Sequence, residues 1–553
     1  MIIRKMCASR YLFKTSAGLR SFTNFSVPKN EKPLRPIFDV ALGCTWDMYW
    51  KTTTCAWPLF QLRFKLWTNE KTLFAASNQR ANAAFFNAYY HVPAYKKHIG
   101  PDIPKKFSDI PETTKENYIK PHVENNNIHL TLMNGQIPFN GQIDTSTGTS
   151  GNPTPWIRGQ QEINAIKNLA NFASRVVMGN NHVMLINAFA LGPWATGITV
   201  SNVMRKRALM FSTGPDLEKI FNILRQFPPT NYPDLRYVIS GYPPFMKDFV
   251  EFALKNNLDL GKYKITAIVG GEEISDAIRY QTLGVDSDGK KIQSGFDRVI
   301  STYGASDLDI NIGYESDFEI ALRSACKKNP ALRKELLGDN ETIPMMFHYD
   351  PLNYFIETNA NKDLIFTCVR NDRASPRIRY NLRDRGMVVP VSDVMACLEK
   401  HEVKIHKPNT CLPLLFVWGR EGAITYRGSK VAASQLEEAI IRSPEFKGKI
   451  ANFAFNSYEK EGSNQLEFWL EFRSEEDYLE SKNNISVLNK LLLKNLMDIN
   501  QDFKFQIQNA PVSALPSLKI FRAGLSPMSH QDPQRKKKYV YNENGLQKTY
   551  KLG

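Results

Sequence analysis

Asp144-Thr145-Ser146-Thr147-Gly148-Thr149-Ser150-Gly151-Asn152-Pro153-Thr154 is the stretch around which this chain is organised. Six of its residues are hydroxylated, two are glycine, and Pro153 stiffens its exit. Glycine lets backbone N–H groups approach a ligand closely, and Ser/Thr hydroxyls add donors on a turn. Such a turn suits an oxygen-rich anion such as a triphosphate. An ordinary surface loop has the same composition, so the stretch gains meaning only from the segments downstream of it. It is not a Walker loop, because Asn152 stands where G-x-x-x-x-G-K-[ST] would place lysine.

Periodicity places this stretch in an alternating α/β chain. Pro155-Trp156-Ile157 reads as a strand, and Ile163, Ile166, Ala170, Ala173 and Val177 recur at helical spacing. Val183–Ile186, Leu235–Ser240, Lys264–Val269, Arg298–Thr302 and Leu364–Arg370 read as strands, with a helix over about Met246–Asn256. Arg377 and Arg379, two apart in an extended segment, are expected on one face. Beyond Gly419-Arg420 the pattern restarts as a small α+β unit. It has a hairpin at Ile424–Gly428, a helix at Ser434–Arg442, strands at Phe453–Asn456 and Leu466–Phe472, and a helix at Val487–Ile499.

Further segments come after the opening stretch in order. They are Gly270-Gly271-Glu272-Glu273, Tyr303-Gly304-Ala305-Ser306-Asp307 and Arg379-Tyr380-Asn381-Leu382-Arg383-Asp384. Gly419-Arg420 with Gly428-Ser429-Lys430, and Pro516-Ser517-Leu518-Lys519-Ile520-Phe521-Arg522, complete the series. It resembles the adenylate-forming superfamily of acyl-CoA synthetases, and is most similar to the phenylacetate–CoA ligase branch. The likeness runs from Phe85 to Arg522, and Tyr89–Tyr95 with Pro111–Lys115 is similar to the opening of that branch's large domain.

The resemblance implies a large N-terminal α/β domain with mixed sheets and a small mobile α+β C-terminal domain. The expected divisions are a basic extension with packing helices (1–80), the large domain (81–419), the small domain (420–530) and a basic tail (531–553). ATP is expected at Ser146, Thr147, Gly148, Thr149, Ser150, Gly151, Gly271, Glu272, Tyr303, Gly304, Asp384 and Arg420. In this reading Tyr303 stacks on adenine, or is plain core, and Asp384 binds the ribose hydroxyls. Asp307 stands where the family has a Mg²⁺-binding glutamate and keeps the hard oxygen ligand. Phe189, Trp194 and Gly270 are candidates for the acyl pocket, although aromatics there also suit a core. Lys519 and Arg420 are the catalytic candidates and Gly422 the hinge, where the family carries a side chain. Leu518 replaces the usual glycine before the lysine.

The implied reaction is a two-step ligation, with ATP, Mg²⁺ and CoA as cofactors. A carboxylic acid forms acyl-AMP, and a thiol then displaces AMP. CoA is the first-choice acceptor; an acyl carrier protein or an amine is the alternative. A degenerate, non-catalytic relative also fits the departures at Asn152, Asp307, Gly422 and Leu518. A homodimer is compatible with either reading.

Composition bounds the rest. The net charge of +16 sits at the ends: residues 1–37 contribute +7 and residues 519–553 contribute +6. That distribution weakens a nucleic-acid reading of the whole chain. Arg4, Lys5, Arg10, Lys14, Arg20 and Lys29 precede the first acid, Glu31. This fits a basic cytoplasmic terminus or a mitochondrial transit peptide. Seven cysteines without framework spacing argue for reduced thiols. No apolar run is long enough to predict a transmembrane helix.

Overall fold

A computed structural model describes residues 34, 39, 69–146, 154–178, 181–271, 274, 276–286, 288–338, 343–408, 410–420, 423–446, 449–460, 463–529 and 540–542. The candidates Thr147, Gly148, Thr149, Ser150, Gly151, Glu272 and Gly422 lie outside the described residues, as do most of the N-terminal extension and basic tail.

The strands of the large domain are β1 (Gly141–Ser146), β2 (Thr154–Gly159), β3 (His182–Asn187), β4 (Leu209–Ser212), β5 (Leu235–Gly241), β6 (Thr266–Val269) and β7 (Arg298–Tyr303). They continue as β8 (Gly313–Tyr314), β9 (Met345–Tyr349), β10 (Tyr354–Thr358), β11 (Asp363–Cys368), β12 (Tyr380–Val389) and β13 (Leu414–Arg420). β1 and β2 form an antiparallel ribbon. The other eleven make one sheet in the order β10-β11-β12-β13-β9-β8-β7-β6-β5-β3-β4. From β4 to β7 the pairing is parallel, and from β7 to β10 it is antiparallel.

The parallel half is covered on both faces, as such sheets require. Val183 and Leu185 of β3 enter one apolar cluster, and Met184 and Ile186 enter another. The helix following β5 is Pro243–Lys255, beginning three residues before the sequence expectation. Proline at a first helical position loses no hydrogen bond that the helix would have made, so the helix starts at the prolines.

The antiparallel half curls back over the parallel half. Four strand steps separate β7 from β12, or about 19 Å in a flat sheet. Yet the Tyr303 hydroxyl at the end of β7 donates to Asp384 Oδ2 on β12 at 2.7 Å. Only a curled sheet closes that span. Phe347 of β9 and Phe366 of β11 pack beside the Tyr303 ring within the fold, at centroid distances of 5.8 and 6.3 Å.

The small domain has its own core. β14 (Ala423–Tyr426) and β15 (Ser429–Ala432) form a hairpin whose turn, Arg427-Gly428, has positive φ at both positions. That is the geometry of the favoured two-residue turn. β16 (Ile450–Lys460), β17 (Ser463–Phe472), β18 (Ser517–Phe521) and β19 (Val540–Asn542) pair in the order β18-β17-β16-β19. Helices Ala433–Arg442 and Ile485–Ile499 bury Leu436, Ile440, Leu488, Leu492 and Leu496 in the same cluster as Phe455, Phe468 and Leu470 of this sheet.

One expectation fails in detail. Arg377 and Arg379 do not share a face, because Arg379 has φ 44° and β12 begins only at Tyr380. The left-handed residue turns the two guanidiniums apart. Arg379 Nε bonds Glu357 at 3.1 Å, whereas Arg377 Nε bonds the Asp307 carbonyl at 3.0 Å.

A buried ion network fixes the ribbon and the turn after β7 to the sheet. Asp309 accepts from Arg373 at 3.0 Å, Arg370 at 3.3 Å and the Tyr354 hydroxyl at 2.6 Å. Burial alone would raise its carboxyl pKa, but the guanidiniums of Arg373, Arg370 and Arg158 prevail and hold it down at about 2. A depressed carboxyl contributes stability above its unfolded pKa, about 3.9, and loses that contribution as pH falls toward the folded value. Asp309→Asn is therefore expected to cost about 3–5 kcal/mol at neutral pH, where one partner of a buried pair is removed. In urea unfolding the gap from wild type should narrow between about pH 4 and 2; a gap constant across that window would refute the assignment.

Candidate functional site

The site is built on the turn after β7. Gly304 is required there by packing. A Cβ on it would lie 2.2 Å from the Ile310 carbonyl carbon and oxygen. The chain doubles back through Ala305 N–H to Asp309 O, 2.9 Å, and Ile312 N–H to Tyr303 O, 2.7 Å. Three arginines grip the turn by its carbonyls: Arg158 on Ser306 and Leu308, Arg373 on Leu308, and Arg377 on Asp307.

These contacts set the carboxylates. Asp307 is 9 % exposed, and its Oδ2 accepts from the Tyr380 hydroxyl at 2.8 Å. Burial foremost, then the charge of Asp307, pushes the Tyr380 phenol far up, so it stays a donor. Asp384, also buried, takes the Tyr303 hydroxyl and is the cross-strand partner of Arg420 in β13. Tyr303, Asp307, Tyr380, Asp384 and the backbone of Arg420 therefore converge where the parallel and antiparallel halves meet.

The hydroxyl-rich stretch enters the same region through its first residues. Asp144 is a buried structural partner of Arg158, at 2.6 Å. Ser146 Oγ accepts from the Trp156 indole N–H at 2.8 Å and from Lys115 Nζ at 3.1 Å. Trp156 lies under Arg377, whose guanidinium carbon is 5.2 Å from its ring centroid, and Tyr380 carries the same guanidinium at 5.5 Å. Ser146, Trp156, Arg377, Tyr380 and Asp307 thus form one connected cluster.

Comparison with solved structures bears on this architecture. A 2-hydroxyisobutyryl-CoA ligase, solved with 2-HIB-AMP and CoA in the thioesterification state, matches with TM-score 0.58 at 13 % identity over 88 % of this chain and 93 % of that one. The chain shares the fold of that ligase. The same ligase in its postadenylation state gives 0.46 at 13 % identity, covering 88 % of this chain and 92 % of that one. The acyl acid amido synthetase GH3.15 gives 0.40 at 12 % identity, covering 88 % and 94 %. No family model and no curated protein matches the chain.

Within this fold the remaining candidates divide. Phe189 is buried, and its N–H bonds Asn187 Oδ1. Trp194 precedes the helix Ala195–Met204 and bridges to Thr145, whose N–H donates to Pro193 O at 2.8 Å. That brings Trp194 against the strand feeding the hydroxyl-rich stretch. A Cβ on Gly270 would meet Thr302 Oγ1 at 2.8 Å, while Gly271 has φ 90° and open space around it.

Lys519 is not brought to this cluster. Its ammonium lies 5.8 Å from the Trp469 ring and 5.6 Å from that of Phe521, on the small domain's sheet. Leu518 packs in that domain's core, which accounts for an apolar side chain where the resemblance leads one to expect glycine. Alternation along β18 then sends Lys519 to the other face. The two domains meet at Arg427, whose Nη2 lies 2.9 Å from Asp248 Oδ2, and at Gly428 beside the Tyr242 ring.

Lys115, Trp156, Arg377 and Tyr380 are not among the site residues expected from sequence. Lys115 and Tyr380 fall in segments that carry the resemblance, but nothing in the sequence assigns any of the four a role at the site, and their convergence appears only once β12 is laid against the turn after β7. Among the described residues Glu335, Cys397 and His401 also converge, with Glu335 held by Lys400 at 2.8 Å and by His401 at 2.7 Å. No described helix is long and apolar enough to cross a membrane.

Tyr380→Phe removes the donor that holds Asp307. A hydrogen bond to a charged group contributes about 1.5–3 kcal/mol, so a loss of that size is expected in urea unfolding. A variant as stable as wild type would refute the contact.

Proposed function

We propose that this chain is an AMP-forming carboxylate ligase that makes an acyl-AMP and passes the acyl group to a thiol, with CoA as the acceptor. A carboxylate oxygen attacks the ATP α-phosphorus and pyrophosphate leaves. The thiolate sulfur then attacks the acyl carbonyl, and AMP leaves. The observation that carries this reading is the convergence of Tyr303, Asp384, Asp307 and the entry of the hydroxyl-rich stretch at one seam of a sheet of this fold.

Each residue has a chemical role in the proposal. Asp384 offers a carboxylate to the neighbouring ribose hydroxyls. The Tyr303 ring supports adenine. Ser146 leads into the hydroxyl-rich segment that receives the phosphates. Asp307 supplies one hard oxygen, which suits Mg²⁺ bound chiefly through phosphates and water. When bound, that ion neutralises charge on the departing pyrophosphate. Phe189, Trp194 and Gly270 would border the acid.

Lys519 has to travel. From its place over Trp469 and Phe521 the small domain would turn about Gly422, the expected hinge, to bring the ammonium to the α-phosphate. Contacts formed only in the transition state raise the rate rather than ground-state binding. Lys519→Ala is therefore expected to lower adenylation by about 10²–10³, the cost of removing one oxyanion donor, while ATP affinity stays near wild type. ATP–pyrophosphate exchange driven by a carboxylic acid found through hydroxylamine trapping measures the effect. Exchange at the wild-type rate would exclude that role, and no hydroxamate from any acid would exclude the ligase reading.

A further inference from the structure

Arg158, Arg370, Arg373 and Arg377 are all buried. Three of them have carboxylate partners. Arg158 has Asp144 and Glu162, Arg370 has Asp309 and Asp372, and Arg373 has Glu162 and Asp309. Arg377 is different. It is 4 % exposed and bonds only neutral oxygens: Asp307 O at 3.0 Å, Ser375 O at 3.1 Å, Ser375 Oγ at 2.6 Å and Pro376 O at 3.3 Å. Among the described residues its Nη2 makes no hydrogen bond, and no carboxylate oxygen lies within salt-bridge distance. The Asp307 carboxylate beside it is committed to the Tyr380 hydroxyl.

A buried guanidinium whose hydrogen bonds all go to neutral oxygens, with no direct ion pair, retains room for an anionic partner, because proteins seldom bury a charge without one. The Trp156 and Tyr380 rings both lie beside it, their centroids 5.2 and 5.5 Å from the guanidinium carbon. Trp156 is also bonded to Ser146, and Lys115 lies 5.6 Å from the same indole centroid. Two cations therefore share one ring beside the residue that opens the hydroxyl-rich stretch.

We propose that Arg377 contacts the phosphoryl oxygens of the nucleotide, completing with a bound oxyanion the pairing that its three neighbours complete with carboxylates. This rests on the adenylate-forming reading for the identity of the nucleotide. The guanidinium fork matches phosphoryl geometry and is already held by its carbonyl contacts, so little freedom is lost on binding.

Calorimetric titration of the full chain and its Arg377→Gln and Arg377→Lys variants tests this with three probes: ATP, adenosine and inorganic tripolyphosphate. Arg377→Gln is expected to weaken ATP by about 10- to 100-fold, the range for a charge-assisted contact. Adenosine binding should stay within about twofold, and Arg377→Lys should recover part of the ATP loss because it restores the charge but not the fork. Preserved adenosine binding also shows that the variant is folded. An equal fall for ATP and adenosine, or unchanged ATP binding, would overturn the proposal. Tripolyphosphate binding by wild type that is lost in Arg377→Gln, without any ATP or adenosine binding, would uphold the oxyanion contact and reject the nucleotide. If wild type binds none of the three probes, both readings fall.

Discussion

The structure depends on the grip of buried arginines on the turn between β7 and β8. Arg158, Arg373 and Arg377 hold three successive carbonyls of that turn, those of Ser306, Asp307 and Leu308. They come from the β1–β2 ribbon and from the segment leading into β12. One set of contacts therefore positions the strand end carrying Tyr303, the ribbon that leads into the hydroxyl-rich stretch, and the start of the strand carrying Asp384. Buried ion networks are often neutral in net stability and strict in geometry. Here that strictness sets where the Asp307 carboxylate lies relative to β12, the strand that carries Tyr380 and Asp384.

Much of the scaffold is legible in sequence. The parallel strands appear as apolar, β-branched runs because both of their faces are covered, and Val183–Ile186 is a clear instance. The small domain separates because its apolar periodicity restarts after Arg420. The conformation of Arg379 is not legible. Nothing in the residue type announces a left-handed backbone, and a tertiary contact with Ser108 and Ile110 holds it there. Gly304 shows a subtler gap. Its place after a strand suggests access for a ligand, whereas the turn itself needs that space for Ile310.

The candidate site is legible in its named parts and hidden in its connections. Tyr303 and Asp384 are conspicuous beside glycine and arginine, yet 81 positions separate them. Arg377 sits in a cluster of arginines whose members look interchangeable in sequence. Their partners divide them: Arg370 and Arg373 stabilise the network around Asp309, and Arg377 faces neutral oxygens. Charge counting along the chain cannot make that distinction: Asp372 is local to Arg370, but Glu162 and Asp309, which complete the pairing of Arg370 and Arg373, lie far away in sequence.

The curl that lets Tyr303 reach Asp384 also bears on how the large domain is assembled. A tie across four strands cannot form until both halves of the sheet exist and have bent toward each other. Its formation thus waits on closure of a long loop, whose entropy must be offset by many contacts arriving together. Neither half carries the whole Tyr303–Asp384 tie as an independent fragment, so the candidate site belongs to the closed sheet as a whole.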